Sequence, residues 1–173
     1  MLRTAGGAPV SHAPTPARDT IVAVVPVLNE AARVGAALAA LDASGDELAE
    51  ILVVDGGSTD ATRAVVTAAS ARDPRVRFVA APPVPPGWNG KAWNLQTGLD
   101  ASGRDAADRA LATESPWVAM VDADARVGAT LLADAVVRAK RDGLAALSVA
   151  TRQELADAGS AVLHPALLTT LVY

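Results

Sequence analysis

Two carboxylates two residues apart, Asp122 and Asp124, close a short apolar run, and a strand continued through them would send both side chains off one face. Paired hard oxygen donors suit a divalent cation, which would in turn neutralise a diphosphate. A third carboxylate, Asp55, ends another apolar run just before Gly56-Gly57, where it is placed to accept hydrogen bonds from a ribose or a nucleobase imide. Lys91 follows Gly90 at a helix start, so that its ammonium and the helix N-terminus together can meet phosphate. Trp88 and Trp93 flank that lysine; two of the chain's three tryptophans in so short a stretch mark a shaped loop. His12 and His164 belong to no such cluster, which leaves a Ser-His-Asp hydrolase without support.

The elements that must position these groups read as apolar run, turn signal and helical pattern, repeated. The first run, Ile21 to Val25, is β-branched and is broken by Pro26-Val27-Leu28-Asn29-Glu30, in which Asn29 is placed to cap a helix. Val34, Leu38 and Leu41 give that helix a buried stripe. The second run, Ile51 to Val54, leads into Asp55-Gly56-Gly57-Ser58-Thr59-Asp60; one of Ser58, Thr59 and Asp60 caps a helix over Ala61 to Ala71, with Val65, Val66 and Ala69 inward.

Val76 to Ala80 is a third strand, followed by a Pro-rich loop and a helix over Lys91 to Leu99 through Ala92, Leu95 and Leu99. A polar, Asp/Arg-rich connection runs from Ser102 to Glu114. Trp117 to Val121 is the fourth strand. Leu131, Leu132, Ala135, Val136 and Ala139 mark a helix, and Leu144 to Val149 reads as a fifth strand. Alternation of this kind predicts an α/β fold: a mostly parallel sheet with helices on both faces, whose ligand crevice lies at the carboxyl ends of the strands.

Composition bounds the rest. A chain of 173 residues, 51% hydrophobic and 20% charged, is long enough for one domain with a real core. Its net charge of −4 gives no basic footprint for nucleic acid. With no cysteine there is no disulfide framework and no thiol nucleophile. Residues 1–19 read as a flexible lead-in, residues 20–150 as the α/β domain, and residues 151–173 as the start of an apolar helical segment, with Leu163, Leu167 and Leu171 spaced four apart.

An acid ending the second strand is also where a dinucleotide fold grips ribose, but that fold needs Gly-x-Gly-x-x-Gly after its first strand, and Pro26 to Glu30 contains no glycine. Gly90-Lys91 lacks the upstream glycine and the following Ser or Thr of a phosphate-binding P-loop. A nucleotidyltransferase needs a glycine-rich basic loop after the first strand, which is absent as well.

The ordered set Val25-Pro26-Val27-Leu28-Asn29-Glu30, Val53 to Thr62 and Val121-Asp122-Ala123-Asp124 resembles family 2 glycosyltransferases of the GT-A fold, the nucleotide-diphospho-sugar transferase type. Pro86-Gly87-Trp88-Asn89-Gly90-Lys91-Ala92-Trp93 is similar to the loop of a bacterial subgroup associated with hopanoid or carotenoid glycosylation; Gln96 departs from the family's usual Asn. The resemblance implies a nucleotide-diphosphate sugar donor, UDP-linked by expectation. Pro26, Asn29 and Glu30 would border the nucleoside, Asp55 would contact the base, and Lys91 would sit near base or phosphate. Asp122 would serve both donor and metal, and Asp124 the metal, with Mn²⁺ or Mg²⁺ as cofactor.

It further implies displacement at the anomeric carbon with inversion, a lipid or membrane-embedded acceptor, and a place at the cytoplasmic face of a membrane. The family's catalytic base lies well downstream of the paired acids; Glu154 and Asp157 fall outside its motif, so none is assigned. The resemblance spans Ile21 to about Val149, the donor half. The expectation is therefore a truncated chain, its acceptor half missing or supplied by a partner chain, and the alternative is an inert nucleotide-sugar-binding domain.

Overall fold

The computed structural model describes residues 20–108 and 117–150, without the side chains of residues 103–108. The lead-in, the last part of the polar connection and the apolar segment with Glu154 and Asp157 lie outside the described residues. Four strands, β1 (Ile21–Val27), β2 (Leu48–Asp55), β3 (Val76–Ala80) and β4 (Trp117–Met120), form one sheet in the order β3-β2-β1-β4. Every pairing is parallel, with Val25 opposite Val53 on one side and Val24 opposite Met120 on the other. The helices are α1 (Val34–Asp42), α2 (Thr62–Ser70), α3 (Gly90–Asp108) and α4 (Leu131–Arg141).

Alternation along β1 divides the core in two, because successive side chains of a strand leave opposite faces. Ile21, Ala23, Val25 and Val27 pack with Val34, Leu38 and Leu41 of α1, Val66 of α2 and Leu132 and Val136 of α4. Val22 and Val24 pack with Leu52, Val54 and, from α3, Leu95 and Ala101. A sheet buried on both faces explains why β1 and β2 read as unbroken apolar runs. The chain steps outward from β1 to β3 and then returns, with β4 pairing on the far side of β1. That reversal between β1 and β4 is the topological switch point, where the carboxyl ends of the two strands leave a crevice.

Several expectations change in detail. Pro26 does not break the first strand but lies within it. Val24 O accepts from the Val121 N–H and Val27 O from the Gly56 N–H, each at 3.0 Å, so even-numbered backbone groups of β1 face β4 and odd-numbered ones β2. The missing N–H of Pro26 therefore points past the last β4 pairing, where no ladder bond is lost. The helix expected over Lys91 to Leu99 starts at Gly90 and continues into the polar connection as far as Asp108. Its buried face runs through Asn94, Gly98 and Ser102 rather than Ala92 and Leu99.

No fifth strand forms at Leu144 to Val149. Gly143, at φ 63°, ends α4, the Leu144 N–H turns back to Ala139 O at 2.8 Å, and the alanine-rich run beyond is mostly exposed, with no strand partner among the described residues.

The amino end of the sheet is clamped by charge. Arg75 Nε donates to both oxygens of Asp73, at 3.0 and 3.1 Å, and its Nη2 reaches Asp42 Oδ1 at 3.1 Å. The Arg75 guanidinium holds the Asp73 carboxyl below its usual 3.8, against the opposing effect of burial and with help from the Arg75 backbone N–H. A depressed carboxylate stabilises the fold in full above its unfolded pKa and loses that contribution as pH falls through the lower folded value. Urea denaturation of the wild type is expected to show stability falling as pH drops below about 4, and Arg75→Met to flatten that part of the profile. An unchanged slope in the variant would remove Asp73 from the account.

Candidate active site

Above the switch point lies a cleft of about 380 Å³. Pro26, Val27, Leu28 and Glu30 line it from the end of β1, Gly56 from the end of β2, Gly90, Lys91 and Asn94 from α3, and Asp122, Ala123 and Asp124 from the turn after β4. The structure thus gathers Pro26, Glu30, Lys91, Asp122 and Asp124 around one space. Asn29 and Asp55 are not on its walls.

Asn29 is not a helix cap; the residue before α1 is Arg33, which makes no side-chain cap bond. Asn29 instead takes φ 55°, a conformation asparagine tolerates, and ties two loops together. Its N–H donates to Ser58 Oγ and its Oδ1 accepts from the Thr59 N–H, both at 2.8 Å. Two further bonds run the same way, from the Glu30 N–H to Thr62 Oγ1 at 2.8 Å and from the Ala31 N–H to Asp60 Oδ2 at 3.2 Å. Asp60 Oδ1 also accepts the Thr62 N–H at 2.9 Å, but the residue at the cap of α2 is Ala61, which makes no side-chain cap bond, so none of Ser58, Thr59 and Asp60 is the expected cap. The Thr62 hydroxyl and N–H, and then the Ala31 N–H, hold the Asp60 carboxyl below its usual value. The polar residues of both loops thereby fix the rim of the cleft as one unit.

Asp55 is only 8% exposed at the tip of β2. Its Oδ1 accepts from the Ser58 N–H at 3.0 Å and from the Ser58 hydroxyl at 2.6 Å, an Asx-type turn that orients the carboxylate. Its Oδ2 makes no hydrogen bond among the described residues.

Asp122 and Asp124 do not continue the strand; β4 ends at Met120, and the Ala125 N–H closes a turn on Asp122 O at 3.0 Å. The turn produces the arrangement that alternation predicted, with Ala123 buried and both acids exposed on the cleft wall. Facing them, Lys91 Nζ sits 2.6 Å from Asp122 Oδ1. Asn89 caps α3 by accepting the Ala92 N–H at 2.8 Å, and this sets where Lys91 leaves the helix. The preceding loop is shaped by its tryptophans: Trp93 Nε1 donates to Pro82 O at 2.9 Å, and Trp88 meets Trp93 edge to face at 5.3 Å. Gln96 bonds Asp100 one helical turn on, at 3.0 Å.

Asn94 was not singled out by sequence. It is 4% exposed, and its amide is best satisfied with nitrogen toward Gly90 O and oxygen toward the Gly56 N–H, each at 3.2 Å. It thereby joins the start of α3 to the tip of β2 behind the cleft. A Cβ on Gly56 would lie 2.8 Å from the end of this amide, which is why the strand tip needs glycine there. Asn94 is one of several polar residues in a mixed helix that also carries Lys91, Gln96, Thr97 and Asp100, and spacing alone does not separate it from a solvated position.

Among the described residues no group of three or more acids or histidines could enclose a metal. Two carboxylates on one wall still fit a hard cation, because Mg²⁺ in particular is held by one or two carboxylates with substrate phosphates and water completing its shell. Asp122 and Asp124 are thus suited to a cation that arrives with a diphosphate, not to one caged by protein.

A parallel four-stranded sheet whose order reverses at this crevice, with helices on both faces, is an α/β fold of the GT-A type. The model of glycosyl transferase family 2 matches residues 22–166, and the chain belongs to that family. Among solved structures it is similar to a mycobacterial protein, at 26% identity and TM-score 0.51 over 69% of this chain and 36% of that one. Glucosyl-3-phosphoglycerate synthase of Mycobacterium tuberculosis aligns at 26% identity and TM-score 0.50 over 69% of this chain and 39% of its own. A mannosyltransferase from Pyrobaculum calidifontis, solved with GDP-Man and Mn²⁺, aligns at 26% identity and TM-score 0.50 over 75% of this chain and 35% of its own. The chain spans well under half the length of these structures. No curated protein matches it.

Proposed function

We propose that the chain is the donor-binding part of a glycosyltransferase that transfers a sugar from a UDP-sugar, with inversion, in the presence of Mn²⁺ or Mg²⁺. The observation that carries this reading is the convergence of Asp122, Asp124 and Lys91 on one cleft at the switch point of a family 2 domain. Asp122 and Asp124 would hold the cation and Lys91 would meet phosphate, while Asp55 Oδ2 would accept a base or ribose donor. The cation, when bound, supplies charge stabilisation for the departing diphosphate. Glu30 is supported as a border residue by its place on the cleft wall, where its Oε2 pairs with Arg33 at 3.0 Å. Asn29 would act indirectly, by holding the loop that carries Glu30.

The same proposal gives the acceptor an apolar, lipid-like part and places the work at the cytoplasmic face of a membrane, as in the hopanoid- and carotenoid-associated subgroup. Leu28 and Val84, 55% and 45% exposed, line the cleft and support an apolar ligand group there. No helix among the described residues is long and apolar enough to cross a membrane.

The test is release of UDP from UDP-sugars by the whole chain, in Mn²⁺ and in EDTA, with and without a lipid extract. Metal-dependent release supports a transferase; binding without any release supports the inert nucleotide-sugar-binding domain instead. Asp55→Ala is expected to weaken UDP binding roughly tenfold in both conditions, the loss of one charge-assisted hydrogen bond. A variant that bound UDP like the wild type in calorimetry would take Asp55 out of the site.

A further inference from the structure

We infer that Lys91 occupies Asp122 in the nucleotide-free chain where a cation would bind, and that it passes to the diphosphate when donor enters, so that cation and nucleotide bind as a coupled pair. The inference rests on the proposed donor site and concerns what its residues do when it is empty of nucleotide. Lys91 and Asp122 stand on different elements, the first turn of α3 and the turn after β4, and their 2.6 Å contact spans the cleft. Their side chains are 61% and 58% exposed, so burial does not force the pair together and either partner can leave it.

Local energetics favour a change of partner. An ammonium in the first turn of a helix opposes the helix dipole, so Lys91 does not belong there for the stability of α3. The charged cleft-lining residues are Glu30, Asp122, Asp124 and Lys91, and Glu30 is already paired with Arg33. With Lys91 on Asp122, Asp124 remains as a carboxylate with no ion pair among the described residues, its neighbour Arg126 donating to its backbone oxygen at 3.1 Å. A cation entering alone must displace the lysine, and a diphosphate entering alone meets Asp124. Entering together, the cation takes both carboxylates and the phosphate takes the ammonium, so each ligand removes the other's obstacle. Such coupling is reciprocal.

The experiment is a titration of backbone amide signals with Mg²⁺, first alone and then with saturating UDP, for wild type, Lys91→Met, Lys91→Arg and Arg126→Met. The amide spectrum of each sample also reports that it is folded. With Mg²⁺ alone, Lys91→Met is expected to bind roughly threefold to fivefold more tightly than wild type, the scale of one exposed ion pair. Lys91→Arg should behave as wild type, and Arg126→Met should gain less than Lys91→Met. With UDP present the order should reverse, Lys91→Met binding Mg²⁺ less tightly than wild type.

Equal Mg²⁺ affinity of wild type and Lys91→Met, or an equal gain in Arg126→Met, would overturn the inference. So would a Lys91→Met that stayed the tighter binder with UDP. Wild-type binding of UDP with Mg²⁺ reads the donor site separately. If it is present without the Lys91 effect, the coupling fails and the site stands. If Lys91→Met gains Mg²⁺ affinity but no form binds UDP, the donor reading fails and the handover with it.

Discussion

Asp124→Ala is expected to lower the affinity for UDP in Mn²⁺ by about 100-fold, and to leave affinity in EDTA unchanged or slightly higher. The two signs come from one geometry. With metal, the side chain would be half of the proposed carboxylate pair, and among the described residues no cluster of three or more potential ligands includes it to make up the loss. Without metal, it is a carboxylate with no ion pair among the described residues, facing a space proposed for an anion, and removing it lowers repulsion. Calorimetry in the two buffers reads both. A loss of equal size in EDTA would show that Asp124 holds the loop rather than a cation.

Gly98→Ala is expected to destabilise the fold by about 2–3 kcal/mol and to lower the melting temperature by roughly 10 °C. Glycine to alanine inside a helix ordinarily stabilises, by up to about 1 kcal/mol, so the predicted sign is the reverse of the rule. The reason is contact: a Cβ at Gly98 would lie 2.3 Å from Val24 Cγ1 and 3.2 Å from Val54 Cγ2. Val24 is fully buried on the central strand, and its branched side chain has few alternative rotamers, so it cannot give way. Either β1 or α3 must shift, and α3 carries Lys91 and Asn94 into the cleft. Gly128→Ala, in the loop before α4 with nothing within 4 Å of the new methyl, is the control for the added methyl alone and should change stability by less than about 0.5 kcal/mol. Thermal denaturation of the two variants checks the pair; a neutral Gly98→Ala would mean that helix and sheet do not pack as described.

Much of the architecture was legible because the signals were strong and local. β-branched runs ended by polar loops placed β1, β2 and β3 within a few residues, and the stripe Val34, Leu38 and Leu41 is the buried face of α1. What failed was decided by partners distant in sequence. Leu144 to Val149 has the apolar character of a strand but no ladder among the described residues. Asn29 has the identity of a cap, yet its side chain is taken by a loop about thirty residues away. Gly98 and Asn94 carry no periodic signal because their importance lies in how closely α3 approaches the sheet, a distance that spacing does not encode.

The acids were found for a partly different reason than their geometry supplies. Alternation predicted Asp122 and Asp124 on one face of a strand, whereas a turn around a buried Ala123 presents them. Lys91 was read from its place at a helix start, but its contact with Asp122 depends on the reversal of strand order that brings α3 and β4 to the same crevice. Sequence named most of the groups; the topology joined them.

The central claim is that this cleft binds a nucleoside diphosphate through a cation held by Asp122 and Asp124, and calorimetric titration of the whole chain with UDP, in Mn²⁺ and then in EDTA, tests it most directly. The account predicts saturable binding in Mn²⁺ that weakens by at least about tenfold in EDTA. Binding of equal strength in both buffers, or none by a chain whose amide spectrum shows it folded, would contradict it.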